Sequence, residues 1–175
     1  QQDKATTKDS FKDSRDGEVY KIVKIGNQVW MAENLRYNVK GSWLNPDNPS
    51  KKYGRLYTWD QARNACPKGW HVPTDVDWDR LISYSGGWES AGTKLKSTNG
   101  WAENSNGNNT NGFNALPAGM YHKSEFVGLG SQTNFWASMK GESYHGWPRS
   151  MTQWDNKLLK IGVKVSDYSC RCIKD

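Results

Sequence analysis

The spacing of apolar residues predicts two helices in the first half of the chain. After Thr74, apolar positions recur at helical spacing up to the Gly86-Gly87 pair. These positions, which we expect to face the core, are Val76, Trp78, Leu81, Ile82 and Tyr84. Thr74 is a candidate N-cap, and the two glycines accept the left-handed conformation that ends many helices. A shorter helix is predicted over residues 59–66, since Thr58 can cap its start and Pro67 stops it.

Alternation of apolar and polar residues predicts antiparallel strands on both sides of the helices. Residues 18–25 and 28–31 form a predicted hairpin around Gly26-Asn27, a pair that tolerates the positive φ of tight turns. Further strands are predicted at 113–121, 134–139, 144–152, 158–165 and 168–173. The last two are expected to form a hairpin around Asp167, since aspartate is common in turns.

This order of elements is typical of an α+β domain. We assign residues 11–175 to a single domain and residues 1–10, which are mostly polar, to a flexible tail. Two long segments lack a regular pattern, residues 38–52 and 86–112. Loops of this length in a small domain are usually functional or disordered.

Composition narrows the class of protein. The chain has ten tryptophans although only 35% of its residues are hydrophobic, so aromatic rings must supply much of the core. We assign Trp59, Trp78 and Trp136 to the core because they lie in periodic segments. The net charge of +6 is scattered along the chain, which indicates a solvated surface and not a nucleic-acid site. No stretch of 18 apolar residues occurs, so no membrane-spanning segment is predicted.

The chain has three cysteines, Cys66, Cys170 and Cys172. The last two are expected to point to the same side of the final strand, because side chains two residues apart do so. Residue positions alone leave open a disulfide from Cys66 to either of them. They also leave open three buried free thiols.

Several motifs resemble known families. The residues Trp59, Ala62, Cys66, Gly69, Val72, Pro73, Asp77 and Leu81 are similar to the two-helix half of C-type-lectin-like domains. The segment 66–81, CPKGWHVPTDVDWDRL, resembles the Fibrobacter succinogenes major paralogous domain, a secreted bacterial family. Segments 16–37, 111–121, 135–139 and 169–175 resemble the same family, so the resemblance covers about residues 11–175.

The resemblance implies a C-type-lectin-like fold in which the first and last strands pair. It also implies a disulfide between Cys66 and Cys172, which would close a long loop and indicate an oxidising, extracellular or outer-surface location.

Aromatic rings and amide groups in the loops are candidates for binding carbohydrate. Tryptophan faces stack on the apolar faces of sugar rings, and asparagine side chains hydrogen-bond to hydroxyl groups. The candidates are Trp43, Trp88, Trp101, Trp147, Asn104, Asn106, Asn108 and Asn109. For each tryptophan the alternative is packing in the core or under a loop.

Evidence for metal or catalytic chemistry is weaker. Segment 103–112 contains one carboxylate, Glu103, whereas calcium prefers several. Trp154-Asp155-Asn156 has the residues of the lectin calcium motif in a changed order, so calcium remains an alternative to the prediction of no cofactor. The three histidines match no metal or catalytic spacing. Formylglycine-generating enzymes have a lectin-like fold, but Cys170-Arg171-Cys172 does not reproduce their cysteine pattern.

We therefore predict a secreted or cell-surface binding or adhesion module without enzymatic activity. Its predicted partner is a glycan or a surface protein and not nucleic acid, and no oligomeric state is assigned. The alternatives are a protein-interaction module of a surface assembly and a diverged oxidase of the formylglycine-generating type.

Overall fold

The secondary structure is mainly short strands around a few helices. The computed structural model describes residues 9–139, 144–162 and 165–175. Within these, the helices are α1 (Trp59–Ala62), α2 (Asp75–Tyr84) and α3 (Ala91–Leu95), with 3-10 turns at Lys51–Tyr53 and Ala102–Asn104. The strands are β1 (Ser10–Lys12), β2 (Val19–Ile25), β3 (Gln28–Met31), β4 (Leu56–Tyr57), β5 (Trp70–His71), β6 (Ala118–His122), β7 (Glu125–Leu129), β8 (Gln132–Phe135), β9 (Arg149–Thr152), β10 (Leu159–Lys160), β11 (Ser166–Ser169) and β12 (Ile173–Lys174).

In the described part of the chain, the strands form two sheets. The first has the order β1-β2-β3-β12-β5. The second has the order β10-β9-β8-β11-β6-β7, with β4 paired to β11. The α+β class is therefore correct. The predicted hairpin around Gly26-Asn27 is present as β2 and β3, and Val23 pairs with Trp30 across it.

The last strand joins the N-terminal hairpin, although not through the first strand. Strand β12 pairs with β3 through Ile173 and Trp30, whereas β1 pairs with β2. Of the predicted tail, residues 1–8 lie outside the described residues, and Ser10 already belongs to β1. No helix in the described ranges is sufficiently long and apolar to cross a bilayer.

Helix α2 has the predicted start. Thr74 and Asp77 form a reciprocal capping box, in which each side chain accepts a hydrogen bond from the other residue's backbone N–H. Its buried side chains are Trp78, Leu81 and Ile82. The prediction that Val76 and Tyr84 are also buried is wrong, because both are exposed. The buried stripe of α2 is thus narrower than the apolar periodicity suggests.

Helix α1 is shorter than predicted. It also begins with a capping box, between Thr58 and Gln61, but it ends at Ala62 instead of Cys66. The N–H of Ala65 donates to the carbonyl of Ala62, which tightens the chain into a turn. Pro67 adds to this effect, since the residue before a proline is disfavoured in the helical region.

Other predicted boundaries also need correction. Helix α3 lies within the predicted loop 86–112, and the predicted strand 113–121 starts only at Ala118. The hairpin around Asp167 is wrong, because Asp167 lies inside β11 and pairs with Tyr121 of β6. Of the predicted strand 158–165, only Leu159–Lys160 is a strand, and residues 163–164 lie outside the described residues.

Among the described residues, two clusters of buried side chains form the core. Trp78 belongs to one cluster and Trp136 to the other, and both are fully buried, as predicted. Trp59 is half-buried and packs against the ring of Trp136 at 5.6 Å between centroids. Aromatic rings thus supply much of the core volume.

A disulfide joins Cys66, just after α1, to Cys172, just before β12. This is the pairing that the family resemblance implied. Cys170 is a free, buried thiol, and its sulfur lies 3.9 Å from that of Cys66. Cys170 and Cys172 therefore do point toward the same partner.

Candidate functional site

One face of the second sheet carries a continuous row of aromatic side chains beside a carboxylate. Tyr121 of β6 pairs with Phe126 of β7 on one side and with Asp167 of β11 on the other. Residues that pair across strands point to the same face, so these three side chains lie side by side. The ring centroids of Tyr121 and Phe126 are 4.8 Å apart.

Trp43 completes this row from the loop at 38–52. Its backbone N–H and carbonyl both bond to Leu56 of β4, and β4 is the strand that pairs with β11. Its ring lies 5.2 Å from Tyr121 and 5.6 Å from Phe126, measured between centroids. Although it makes these contacts, Trp43 remains 40% exposed, so part of its ring is free to contact a ligand. We call Trp43, Tyr121, Phe126 and Asp167 the aromatic row.

Asp167 is the polar group of the aromatic row. It is only 8% exposed, and burial raises the pKa of its carboxyl group, although a hydrogen bond from the Trp43 side chain acts in the opposite direction. Because a carboxylate has about four acceptor positions, this one can accept further hydrogen bonds from a ligand.

A cavity of about 550 Å³ opens next to the aromatic row. Its lining residues are Tyr121, His122, Lys123, Ser124, Val165 and Asp167. The volume is in the range of small-molecule sites, which typically combine apolar walls with a few polar groups. An aromatic ring, a carboxylate and an adjacent opening therefore occur together here.

Two other predicted tryptophans lie elsewhere on the surface. Trp88 lines a cavity of about 440 Å³ together with Leu159 and Lys160. Trp147 lines another of about 520 Å³ with Met139 and His145. Both rings are exposed. The predicted binding residues are thus distributed over separate surfaces and do not form one site.

Trp101 is not a binding platform, contrary to the prediction. It is only 5% exposed, its indole N–H donates to the carbonyl of Ala115, and the Lys96 ammonium lies 4.6 Å from its ring centroid. The sequence suggested exposure because this residue lies in a polar segment. The structure instead uses Trp101 to anchor that segment to the core.

The predicted asparagines have local structural roles. Each of three asparagine side-chain oxygens accepts a hydrogen bond from a nearby backbone N–H. The oxygen of Asn106 accepts from the backbone N–H of Trp101. The oxygens of Asn108 and Asn109 accept from the backbone N–H groups of Thr110 and Asn114, respectively. Asn104 and Asn109 have positive φ, a conformation that asparagine tolerates better than most residues. The abundance of asparagine in this segment thus has a backbone explanation.

Three members of the aromatic row were missed by the sequence interpretation. Tyr121 and Phe126 come together through a hairpin whose turn residues, Lys123 and Ser124, both have positive φ. Neither residue is typical of such turns, so the hairpin gives no usual signal. Asp167 was assigned to a turn and not to a strand. Only the period-two alternation around Tyr121 could have indicated the face on which the row lies.

The described histidines and cysteines have structural partners. His71 lies between Asp77 and Asp175, at 2.9 Å and 2.8 Å, and the hydrogen bond to Asp77 chiefly raises its pKa, with Asp175 adding to the effect. The sulfur atoms of Cys66, Cys170 and Cys172 lie within 4.8 Å of one another, but two of them are joined as the disulfide. Burial raises the pKa of the Cys170 thiol to about 12, so it is protonated at neutral pH.

Comparison with known proteins gives one family match. The model of the family described as the Fibrobacter succinogenes major domain matches residues 23–174, a range that includes the whole aromatic row and both disulfide cysteines. No curated protein matches the chain, and no solved structure does.

Proposed function

We propose that this chain, which belongs to the Fibrobacter succinogenes major domain family, is a non-catalytic module that binds carbohydrate at the aromatic row. The observation that carries the proposal is the exposed Trp43 ring, held beside the carboxyl group of Asp167, a residue that lines a cavity.

The chemistry of a sugar fits this surface. A pyranose ring has an apolar C–H face that stacks on an indole ring, and hydroxyl groups that donate to a carboxylate. Because Trp43 is held by Leu56 on its backbone and by Tyr121 on its ring, it loses little conformational freedom on binding. The same fixed geometry sets the position of the Asp167 oxygens relative to the ring.

The proposed location is outside the cytoplasm, on the cell surface or secreted. The Cys66–Cys172 disulfide supports it, because stable disulfides form mainly in oxidising compartments. We further propose that the fold is of the C-type-lectin-like kind. In support, the N-terminal hairpin and the last strand share one sheet, and the disulfide joins the turn after the first helix to the residue before that strand.

Binding to insoluble polysaccharides and to a glycan array tests this function. We expect the wild-type protein to be retained on at least one polysaccharide or glycan, and Trp43→Ala to weaken that binding by at least about tenfold, as is common for a central tryptophan. Trp154→Ala is the matched control, because Trp154 is 78% exposed but contacts none of the aromatic row. Failure of every glycan to bind, or equal loss in both variants, would refute the proposal.

A second candidate is a protein-interaction module. It is favoured by the exposed side chains of Met139 and Trp147, which line one cavity and give an apolar surface patch. Light scattering over a range of concentrations tests it. Self-association that Trp147→Ser removes would favour this candidate, whereas a monomer at all concentrations would remove its support.

The oxidase alternative receives little support from the geometry. That chemistry needs an accessible, reactive thiol, whereas Cys170 is fully buried and burial raises its pKa to about 12. Alkylation of the native protein should therefore leave Cys170 unlabelled, and rapid labelling would restore this alternative.

A further inference from the structure

The disulfide belongs to a cluster of three sulfur atoms. The fold brings Cys66, just after α1, next to Cys170 and Cys172, near the end of the chain. All three sulfur atoms lie within 4.8 Å of one another. The disulfide explains why the sulfurs of Cys66 and Cys172 are close, but Cys170 forms no disulfide. A third sulfur in the same place gives the cluster the ligands for a second chemical form.

The spacing of the sulfur atoms suits a zinc ion bound by thiolates. Zinc is usually tetrahedral with Zn–S bonds of about 2.3 Å, which places two sulfur ligands about 3.8 Å apart. The sulfurs of Cys66 and Cys170 are already 3.9 Å apart. Reduction of the disulfide would move the sulfurs of Cys66 and Cys172 to non-bonded contact, which is close to the same spacing. The remaining separation, between Cys170 and Cys172, is no more than 4.8 Å. Side-chain rotations can therefore complete the geometry.

The surroundings of the cluster provide access and charge. Cys66 is half-buried, whereas Cys170 and Cys172 are fully buried, so an ion and a water molecule can approach from the Cys66 side. Zinc with three protein ligands commonly takes water as its fourth ligand. Three thiolates around Zn²⁺ carry one net negative charge. Arg171, which is also fully buried, interacts electrostatically with Cys170 and offsets this charge.

We propose that the reduced protein binds one Zn²⁺ ion through Cys66, Cys170 and Cys172, with water as the fourth ligand. The cluster then has two mutually exclusive forms, disulfide-bonded when oxidised and zinc-bound when reduced. A dithiol supplies the two electrons that convert the disulfide to two thiols, and is itself oxidised to a disulfide. Zinc then binds three thiolates, and the three thiol protons pass to the solvent.

This inference does not depend on the carbohydrate function proposed above. None of the three cysteines belongs to the aromatic row or lines the cavity beside it. Trp43→Ala should therefore leave zinc binding unchanged, and a failure of every glycan to bind would leave the zinc site standing.

Titration of the reduced protein with Cd²⁺ in the absence of oxygen tests the proposal. Cd²⁺ is a spectroscopic substitute for Zn²⁺, because its thiolate complexes absorb in the ultraviolet through charge transfer. One equivalent of Cd²⁺ should saturate this absorption in the reduced protein. The oxidised protein should give none, because its disulfide sulfurs are not thiolates. Competition with a chromophoric chelator then measures the affinity for Zn²⁺ itself.

Two variants provide the critical comparison. Cys170→Ala removes the third sulfur and should weaken Zn²⁺ binding at least about tenfold, since even the hydrogen-bond partners of metal ligands contribute that much. Ser169→Ala is the matched control, because it also loses one fully buried side-chain atom but leaves all three sulfurs in place. Both variants keep Cys66 and Cys172, so the disulfide-bonded form of each shows whether the substitution itself disturbs the fold.

Near-ultraviolet circular dichroism follows the fold during reduction. If reduction unfolds the chain, Zn²⁺ should restore the folded signal in the wild type and in Ser169→Ala, but not in Cys170→Ala. The proposal is overturned if the reduced wild type takes up neither Cd²⁺ nor Zn²⁺, or if the oxidised protein binds them as tightly. It is also overturned if Cys170→Ala binds Zn²⁺ as tightly as Ser169→Ala, because the third sulfur is then not a ligand.

Discussion

Replacing Cys172 by serine is expected to move the disulfide to Cys170 and not to remove it. The Cys170 sulfur lies 3.9 Å from that of Cys66, so a small side-chain rotation brings the two into bonding range. Cys170 and Cys172 also flank the same short segment before β12, which holds both close to the end of α1. In the variant, Cys66 thus keeps a partner that needs little backbone movement.

The energetic cost of this exchange can be calculated from the two loop lengths. The native bridge joins residues separated by 106 positions, and the alternative bridge joins residues separated by 104. In the chain-entropy model, either loop stabilises the folded state by about 4.8 kcal/mol, and the two values differ by less than about 0.1 kcal/mol. Cys172→Ser should thus retain most of the disulfide contribution, whereas Cys66→Ser should lose it.

Urea denaturation with and without reductant measures this contribution within each variant. Reduction should lower the free energy of unfolding by about 3–5 kcal/mol in the wild type and in Cys172→Ser, but by almost nothing in Cys66→Ser. Burial raises the pKa of Cys170, and oxidation needs the thiolate, so the variant must be refolded under oxidising conditions before the measurement. Peptide mapping should then identify the Cys66–Cys170 bridge. Two free thiols in oxidatively refolded Cys172→Ser, with a stability that reductant does not change, would refute this reasoning.

Three further predictions concern a buried cation, a titrating histidine and a glycine. Lys96→Met should destabilise the protein by about 1–3 kcal/mol, because the backbone carbonyls of Thr152 and Asp155 lose their charged hydrogen-bond donor. Lys94→Met, at an exposed lysine, should have little effect. Urea denaturation measures both variants, and equal effects would contradict the structural role assigned to Lys96. The raised pKa of His71 means that its ion pairs contribute fully below pH 6.5, and that this contribution is lost as the pH rises through the raised value. The difference in the free energy of unfolding between wild type and His71→Gln should therefore be larger at about pH 5.5 than at about pH 9. A difference that does not change with pH would exclude this contribution of the His71 ion pairs. Gly119→Ala should cost more than about 1 kcal/mol, because φ is +71° and a Cβ would lie 2.5 Å from a backbone oxygen. Thermal denaturation compares it with Gly162→Ala, where an added Cβ would meet no described atom within 4 Å beyond the chain neighbours, and similar melting temperatures would contradict this prediction.

The parts of the fold that could be predicted from the sequence are those determined by residues close together along the chain. The capping box at Thr74 and Asp77 lies within four residues, and the turn at Gly26-Asn27 uses residues that accept positive φ. Such signals need no knowledge of distant contacts. The hairpin at Lys123-Ser124 could not be predicted in this way. The pairing of His122 with Glu125 leaves a two-residue turn, which takes positive φ at residues that do not favour it.

The candidate site was harder to predict, because strand register creates it. Trp43 was identified as a candidate from its loop, but its neighbours Tyr121 and Asp167 are far away in the sequence. They meet only because β6 and β11 pair with one particular register, and a shift by one residue would put Asp167 on the opposite face. The alternation of apolar and polar residues indicates that a strand has two faces, but not which distant strand shares them.

The ordering of the long polar segment also depends on a residue that the sequence interpretation did not single out. Segment 103–112 and Trp154-Asp155-Asn156 each offer oxygen atoms, which makes them the candidates for calcium in the sequence. In the structure, the Lys96 ammonium donates to the backbone carbonyls of Thr152 and Asp155, each at 2.7 Å, and lies 3.4 Å from that of Ser105.

An ammonium group has three N–H donors, which matches these three carbonyls. Burial lowers the pKa of Lys96, which measures how strongly the surroundings oppose a charge there, and the nearby Asp155 charge offsets part of this effect. The Lys96 side chain thus connects both segments to α3 with a cation that belongs to the chain itself. This explains how a segment with few apolar residues packs in a fixed conformation against the core.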